Sequence, residues 1–388
     1  STADLDSDSV KNIFDWKLNG TSLAFVNMPF EKINQTTTDN APDYSSYGND
    51  GTVDGNPAWS ATGGYDGKGA YTFAGGASDD AIDLGDIEMA SMDEISISAW
   101  FKTSDSSVDQ RVVSKDQVGT AGNFFIYFES SGGIWSFWVQ DTVLGDWQKA
   151  LYTSTAENDG AWHHIAGIVD TDANKIYLYM DGVQVASDDW TAATLDDSQN
   201  EELVIGADSD TAAYSSEFNG NLDDVLIFNR SLTADQIRIL NSSRTDLISF
   251  NETTIGDIWQ ACITPNDGFN DGSQKCYENL TVLAIASNTA PTIDTVVLNS
   301  TNPALNDTNQ NLTLYFNSTD ANNDAVKNIT NWKLNGNSLA VLNMPFEQIN
   351  GTTTNNAWDY SDYGNNLSEQ NGVTWNSSGG YDSKGSYE

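Results

Sequence analysis

Basic residues are scarce in this chain. Sixteen Lys and Arg stand against 56 Asp and Glu, a formal net charge of −40 over 388 residues. Nucleic acid and anionic membrane would repel such a surface, which excludes both as electrostatic partners. Histidine is nearly missing: there are two, His163 and His164, side by side. No Gly-x-Ser-x-Gly, no Cys/His pair and no phosphate-cradling glycine loop occurs, so the usual nucleophile and nucleotide signatures are lacking. No apolar run is long enough to cross a bilayer, and there is neither an initiator Met nor a basic-then-apolar leader, so we expect a window of a longer exported polymer.

Cysteine is limited to Cys262 and Cys276, with 13 residues between them. The intervening segment is rich in turn formers (Pro265, Asn266, Asp267, Gly268, Asn270, Asp271, Gly272) and is flanked by apolar alternation. The pair is expected to face across a β-hairpin, where a disulfide can close. Without histidine partners the two make poor zinc ligands, and a disulfide implies an oxidising exterior.

What the chain has in plenty is Asp (43 against 13 Glu), Asn, Gly, Thr and aromatic residues. These build turns and strands in preference to helices and present oxygen to hard cations. The expected class is all-β. The acidity is read as calcium binding, life in high salt, or plain solubility of a surface protein. Fourteen Asn-X-Ser/Thr sequons occur, at Asn19, Asn34, Asn229, Asn241, Asn251, Asn279, Asn299, Asn306, Asn311, Asn317, Asn328, Asn350, Asn366 and Asn376. None lies between Asn34 and Asn229, which suggests a glycosylated stalk carrying a barer module.

The chain also repeats itself. VKNIFDWKLNGTSLAFVNMPFEKINQTTTDN at 10–40 returns as VKNITNWKLNGNSLAVLNMPFEQINGTTTNN at 326–356, without a gap. From 10 to 49, 30 of 40 positions are identical at an offset of 316. The match runs on through Trp59/Trp375 to Tyr71/Tyr387. One period of a tandem repeat followed by the start of the next is the natural reading.

Period-two alternation marks strands at 70–75, 95–103, 111–115, 123–140 (a hairpin), 162–170, 175–187, 203–207 and 220–229. Thr233 followed three places on by Gln236, then by Ile237 and Leu240, predicts one short helix over 232–240.

GGYDGKGAYTFAG, AIDLG, ISISAWFKT, DGAWHHIAGIVD, IYLYMDGVQVAS, LVIGA and FNGNLDDVLIFNRSLTADQI appear in this order. Over residues 65–240 they resemble the laminin-G-like, concanavalin-like jelly rolls. The resemblance implies a first strand at 23–31 and an early loop at 43–53. The flanks, 246–282 and 290–336, resemble the second and first halves of an immunoglobulin-like sandwich. We therefore expect a jelly roll (23–245) inserted into an Ig-like sandwich made of 1–22 and 246–289. A second Ig-like half (290–338) and the start of another jelly roll (339–388) would follow; insertion is cheap where a domain's termini lie close together.

Calcium is the chemistry the acidic loops favour. Asp4, Asp6 and Asp8 alternate so that their carboxylates can converge, and Asp320, Asn322 and Asp324 repeat the pattern, with Asp267 and Asp271 expected nearby. The jelly-roll resemblance adds a structural calcium at Asp223 or Asp224, with Asp43 and Asn49 from the early loop. It also implies that His164 is a buried structural residue. Laminarinases and lichenases share the fold but need Glu-x-Asp-x-x-Glu on one strand, and nothing here matches, so an enzyme is not expected. Sugar rings stack on exposed aromatic faces. Trp135 and Trp138 must point to opposite sides of their strand, and Trp190 in SDDWTAATLDDS is the expected ligand contact. The expected function is a structural repeat of an extracellular, cell-surface filament, stalk or adhesin, partnered by neighbouring repeats or subunits. A lectin-like glycan-binding module is the alternative. The Asn-rich, acidic, sequon-dense style points to an archaeal surface protein.

Overall fold

The computed structural model describes residues 10–31, 40–76, 79–89, 92–116, 123–141, 146–192, 194–195, 201–208, 214–284, 289–346, 356–368, 375–376, 379–381 and 386–387. The chain divides into two compact units, Ser1–Ala284 and Ile285–Glu388.

Two eight-stranded antiparallel sheets form the body of the first unit. The first sheet runs in the order Asp146–Thr153, Ile134–Asp141, Phe124–Glu129, Gln110–Lys115, Val204–Ile205, Ala81–Asp83, Gly51–Asp54 and Asn40–Ala41. The second runs Val183–Asp189, Lys175–Met180, His163–Asp170, Ile95–Lys102, Asn219–Phe228, Ala70–Ala74 and Ala58–Ser60, with Ala24–Met28 also paired to Asn219–Phe228. This is the all-β, concanavalin-like jelly roll. Alternation makes its core: Phe124, Ile126 and Phe128 of the first sheet meet Ile97, Ala99, Phe101, Ile165 and Val169 of the second, all out of contact with water. Gly167 faces Phe137 so closely that a Cβ there would overlap the ring, which is why the apolar strand HHIAGIVD is interrupted by glycine.

The outer face of the second sheet is covered as well. Ala166, Ile168, Tyr179 and Phe228 pack there against Leu232, Ile237 and Leu240 around the helix Ala234–Asn241, and against Trp259. The helix begins as its sequence demands, Thr233 Oγ1 accepting from Gln236 N at 3.3 Å. The reciprocal bond of a capping box is replaced: Thr233 N donates to Glu252, while the Gln236 amide bridges Leu247 and Ser249.

A smaller sheet joins residues far apart in sequence. Lys11–Leu18 pairs along its whole length with Ile258–Asn266, from Lys11↔Asn266 to Leu18↔Trp259. Thr21–Ser22, Lys275–Cys276 and Leu280–Thr281 complete it. Cys262 and Cys276 are cross-strand partners joined by a disulfide. This flank is a single sheet whose apolar side lies on the jelly roll, Trp16 crossing Trp259 edge to face at 6.3 Å.

In the second unit, Thr292–Ser300 and Leu312–Thr319 form a hairpin with a register shift after Ile293. The duplicated segment follows it. Its Lys333–Leu334/Asn337–Ser338 turn has the register of Lys17–Leu18/Thr21–Ser22 in the first copy.

Candidate binding face and the Lys11 clamp

The strand Asn219–Phe228 breaks its pairing with Ile95–Lys102 between Asp223 and Leu226, and Asp224 takes a left-handed φ of 43°. This bulge aims two successive carboxylates at the glycine-rich loop. Asp223 accepts from Asp224 N (2.8 Å) and Tyr65 N (3.1 Å). Asp224 Oδ2 accepts from the Tyr65 hydroxyl (2.8 Å). Gly64 lies so close to the Asp223 carboxylate that no side chain would fit. Gly69 N donates to Glu31 Oε2 at 3.0 Å.

Into this ring of acids reaches Lys11, from the smaller sheet. Its Nζ stands 2.5 Å from Glu31 Oε1, 3.0 Å from Asp66 Oδ2 and 3.1 Å from Asp224 Oδ1. Burial opposes the lysine charge, but Asp224, Glu31, Asp223 and Asp66 more than offset it and hold its pKa above the ordinary value. Burial pushes Glu31 up to about 7 despite Lys11, and burial with the neighbouring Asp224 raises Asp223. At Asp223 and Asp224, where calcium was expected, each carboxylate oxygen accepts one hydrogen bond, and the cation that stands against Asp224 Oδ1 is the Lys11 ammonium. The signal for Lys11 lay in the repeat, since Lys327, Glu347, Tyr381 and Asp382 stand 316 places beyond Lys11, Glu31, Tyr65 and Asp66.

The other early-loop candidates have different work. Asp43 accepts four hydrogen bonds, from Asn27 N, Ser45 N, Ser45 Oγ and Asn49 N, at 2.6–2.9 Å. The Asn49 amide donates to Phe25 O at 2.7 Å. Both pin the loop to the strand Ala24–Met28, which leaves no side-chain oxygen of Asp43 open to a metal. Asp320 Oδ1 likewise accepts from Asn322 N and Asp324 N, and Asn322 Oδ1 accepts from Thr289. Asp267 caps its own turn, and Asp271 accepts from Tyr44. Asp4, Asp6 and Asp8 lie outside the described residues. Among the described residues, no group of three or more His, Cys, Asp or Glu is disposed to hold a metal ion.

The aromatic face is not where Trp190 stands. Trp190 is 1% exposed and belongs to the main core, its backbone tied to Asn174 O; the polar letters around it hid an anchoring residue. Trp135 is also core, and Trp138 points outward from the same strand. On the outer face of the first sheet, Phe125, Trp138 and Lys149 are cross-strand neighbours in register. Phe125 stacks on Trp138 at 5.2 Å and meets Trp147 at 5.0 Å; Tyr127 closes the row at 6.0 Å from Phe125. Tyr127, Trp138 and Trp147 are half-buried. Two cations lie on these rings, Lys149 Nζ 3.8 Å from the centre of Trp138 and the Arg111 guanidinium 3.5 Å from that of Phe125. Asp116 and Asp208 hold Arg111 at 3.2 and 3.3 Å, and burial raises both carboxyls. The cluster is an aromatic patch of inclined rings, with Phe125 buried at its centre and a lysine ammonium over Trp138.

His164 is fully buried, bonded to Ser98 Oγ at 2.8 Å, and burial lowers it to about 4. His163 leans on Asp181 and Asp159. The described sequon asparagines, all but Asn34 and Asn350, are half-buried or exposed.

Residues 74–238 match a family model, Laminin_G_3, described as the Concanavalin A-like lectin/glucanases superfamily. Solved structures similar to the chain include the binding domain of Paraclostridial Mosquitocidal Protein 1 (13% identity, 57% of this chain and 52% of that one, TM-score 0.43). The receptor binding domain of botulinum neurotoxin D (14%, 57% and 53%, 0.43) and the CBM40 of Ruminococcus gnavus IT-sialidase (15%, 39% and 83%, 0.34) are others. The chain spans about half the length of the two toxin domains. No curated protein matches it by sequence.

Proposed function

We propose that the jelly roll is a carbohydrate-binding, lectin-like module. The observation that carries this reading is the group of half-buried Tyr127, Trp138 and Trp147 around the buried Phe125 on the outer face of one sheet, with the Arg111 guanidinium on the Phe125 ring. Apolar faces of sugar rings stack on such a surface, and Lys149 offers a donor next to them. The geometry suits binding. A glycan array tests it: Trp138→Ala and Trp147→Ala should each weaken the strongest signal tenfold or more while the melting transition stays cooperative. No bound glycan, or binding untouched by both substitutions, overturns it.

A second reading, a structural repeat of an extracellular filament, stalk or adhesin, has its own support. The duplicated segment rebuilds the hydrogen bonds of the first copy around Asp359, as adjacent links of one repeated protein would. An immunoglobulin-like sandwich shared between links, glycans on the sequons and an archaeal surface belong to this proposal, and the Cys262–Cys276 disulfide supports the extracellular location. Imaging the native assembly at domain resolution tests it; periods that fail to join head to tail would refute it. Calcium stays a proposal carried by the sequence at Asp4, Asp6 and Asp8, and a melting temperature unmoved by chelator would refute a stabilising site there.

A further inference from the structure

Lys11 and Asp224 lie 213 positions apart in the sequence, yet Lys11 Nζ stands 3.1 Å from Asp224 Oδ1. Both side chains are nearly closed to water, at 14% and 8% exposure. Glu31, whose Oε1 is 2.5 Å from the same nitrogen, is 1% exposed. Each carboxyl is also held from behind. Gly69 N fixes Glu31 Oε2 at 3.0 Å, and the Tyr65 hydroxyl fixes Asp224 Oδ2 at 2.8 Å. The Tyr65 ring is itself steadied by stacking on Trp100 at 4.1 Å. An amine nitrogen, the carboxyl it touches, a buried proton acceptor and a donor to the second carboxyl oxygen therefore meet in one closed place.

We propose that Lys11 and Asp224 condense after folding into an intramolecular amide bond that fastens the smaller sheet to the jelly roll, with Glu31 as the proton carrier. The ion-paired arrangement is the reactant, and the conversion is a slow step that follows it. The Lys11 ammonium passes one proton to Glu31 Oε1, and the freed amine attacks Cγ of Asp224 while the Tyr65 hydroxyl polarises Oδ2. Glu31 returns that proton to Oδ1, a second follows from the nitrogen, the Cγ–Oδ1 bond breaks and water leaves. The three hydrogens of the ammonium end as one on the amide and two on the water, so no oxidant or co-reactant is needed. Free in water the two groups would not condense, but groups held in contact react as though at roughly 10⁵–10⁸ M. The reaction also exchanges a buried ammonium and a buried carboxylate for one neutral amide, which removes the cost of keeping both charges out of water. Asp66 touches the same nitrogen but is 23% exposed, so water keeps its carboxylate solvated. A covalent tie between residues so far apart would keep the smaller sheet docked while the sandwich opens elsewhere.

Mass spectrometry of the full chain tests this, with the folded protein sampled over several days near neutral pH and denatured before each measurement. The expected result is a species lighter by one water that accumulates with time, and a branched tryptic peptide in which Lys11 is joined to Asp224 and resists cleavage. Lys11→Arg keeps the positive charge but offers no amine that can be freed, and should stay at full mass. Glu31→Gln should slow the loss of water tenfold or more while its melting transition stays cooperative, which a merely structural glutamate would not do. The inference is overturned by a chain that keeps its full mass, by a bond from Lys11 to Glu31 or Asp66, or by an unchanged rate in Glu31→Gln. A loss of water without the branched peptide, as ring closure at Asp66-Gly67 would give, overturns it too. The carbohydrate and repeat readings do not depend on the outcome.

Discussion

Asp359 repeats Asp43 bond for bond. The later residue accepts from Asn343 N, Ser361 N, Ser361 Oγ and Asn365 N, as the earlier one accepts from Asn27 N, Ser45 N, Ser45 Oγ and Asn49 N. Asn365 and Asn49 then donate to Val341 O and Phe25 O. These donors, counteracting burial, hold the Asp359 carboxyl down at about 2. Asp43→Ala should therefore cost the first unit on the order of 2–4 kcal/mol, since four donors lose their acceptor. Urea unfolding of the variant measures it; a loss under about 0.5 kcal/mol would contradict the assigned role.

Lys11→Met removes the cation shared by Glu31, Asp66 and Asp224. Stranding buried carboxylates typically costs about 3–5 kcal/mol, and the seam between the smaller sheet and the jelly roll should loosen first. Lys17, whose ammonium stands 3.6 Å from Asp15, is the comparison: Lys17→Met should cost less. Thermal melting ranks the two, and hydrogen exchange at 11–18 and 258–266 locates the loosening.

Stability should fall between pH 6.5 and 8. Burial lifts Glu31 to about 7 and also raises Asp116, so the folded state keeps protons there that the unfolded chain has released. His163, raised by Asp181 and Asp159 in spite of burial, acts in the same direction. A folded state that binds the more protons loses stability as pH rises. His164 has the opposite sign: lowered to about 4 by burial, it favours folding above pH 6.5 and gives that contribution up between 6.5 and 4. Melting temperatures at pH 6.5, 7.2 and 8 should decline in order, and a rise across that window would contradict the assignment.

Trp190→Ala should cost about 3–5 kcal/mol through the cavity it leaves, without the specific loss of glycan signal expected of Trp138→Ala. A circular dichroism melt beside the array separates the two. A Trp190→Ala protein that melts like the parent would show that the side chain is not the core anchor described above.

The sequence determined what short-range chemistry can enforce. Alternation fixed the strands, Thr233 fixed the start of the helix, and the spacing of Cys262 and Cys276 placed them across a hairpin. The turns Asn19-Gly20 and Asn335-Gly336 adopt matching left-handed angles in both copies, because that geometry is set by the two residues themselves. Only the tertiary structure decided which long-range partner each group met. Lys11 finds Asp224 across 213 positions, the bulge at Asp223 turns two carboxylates where regular alternation would turn one, and Trp190 is buried among letters that read as a loop. Trp16 is packed and its copy Trp332 is not, although their neighbours in sequence are nearly the same. Burial and ion pairing depend on what the rest of the chain brings alongside, and no local pattern encodes that.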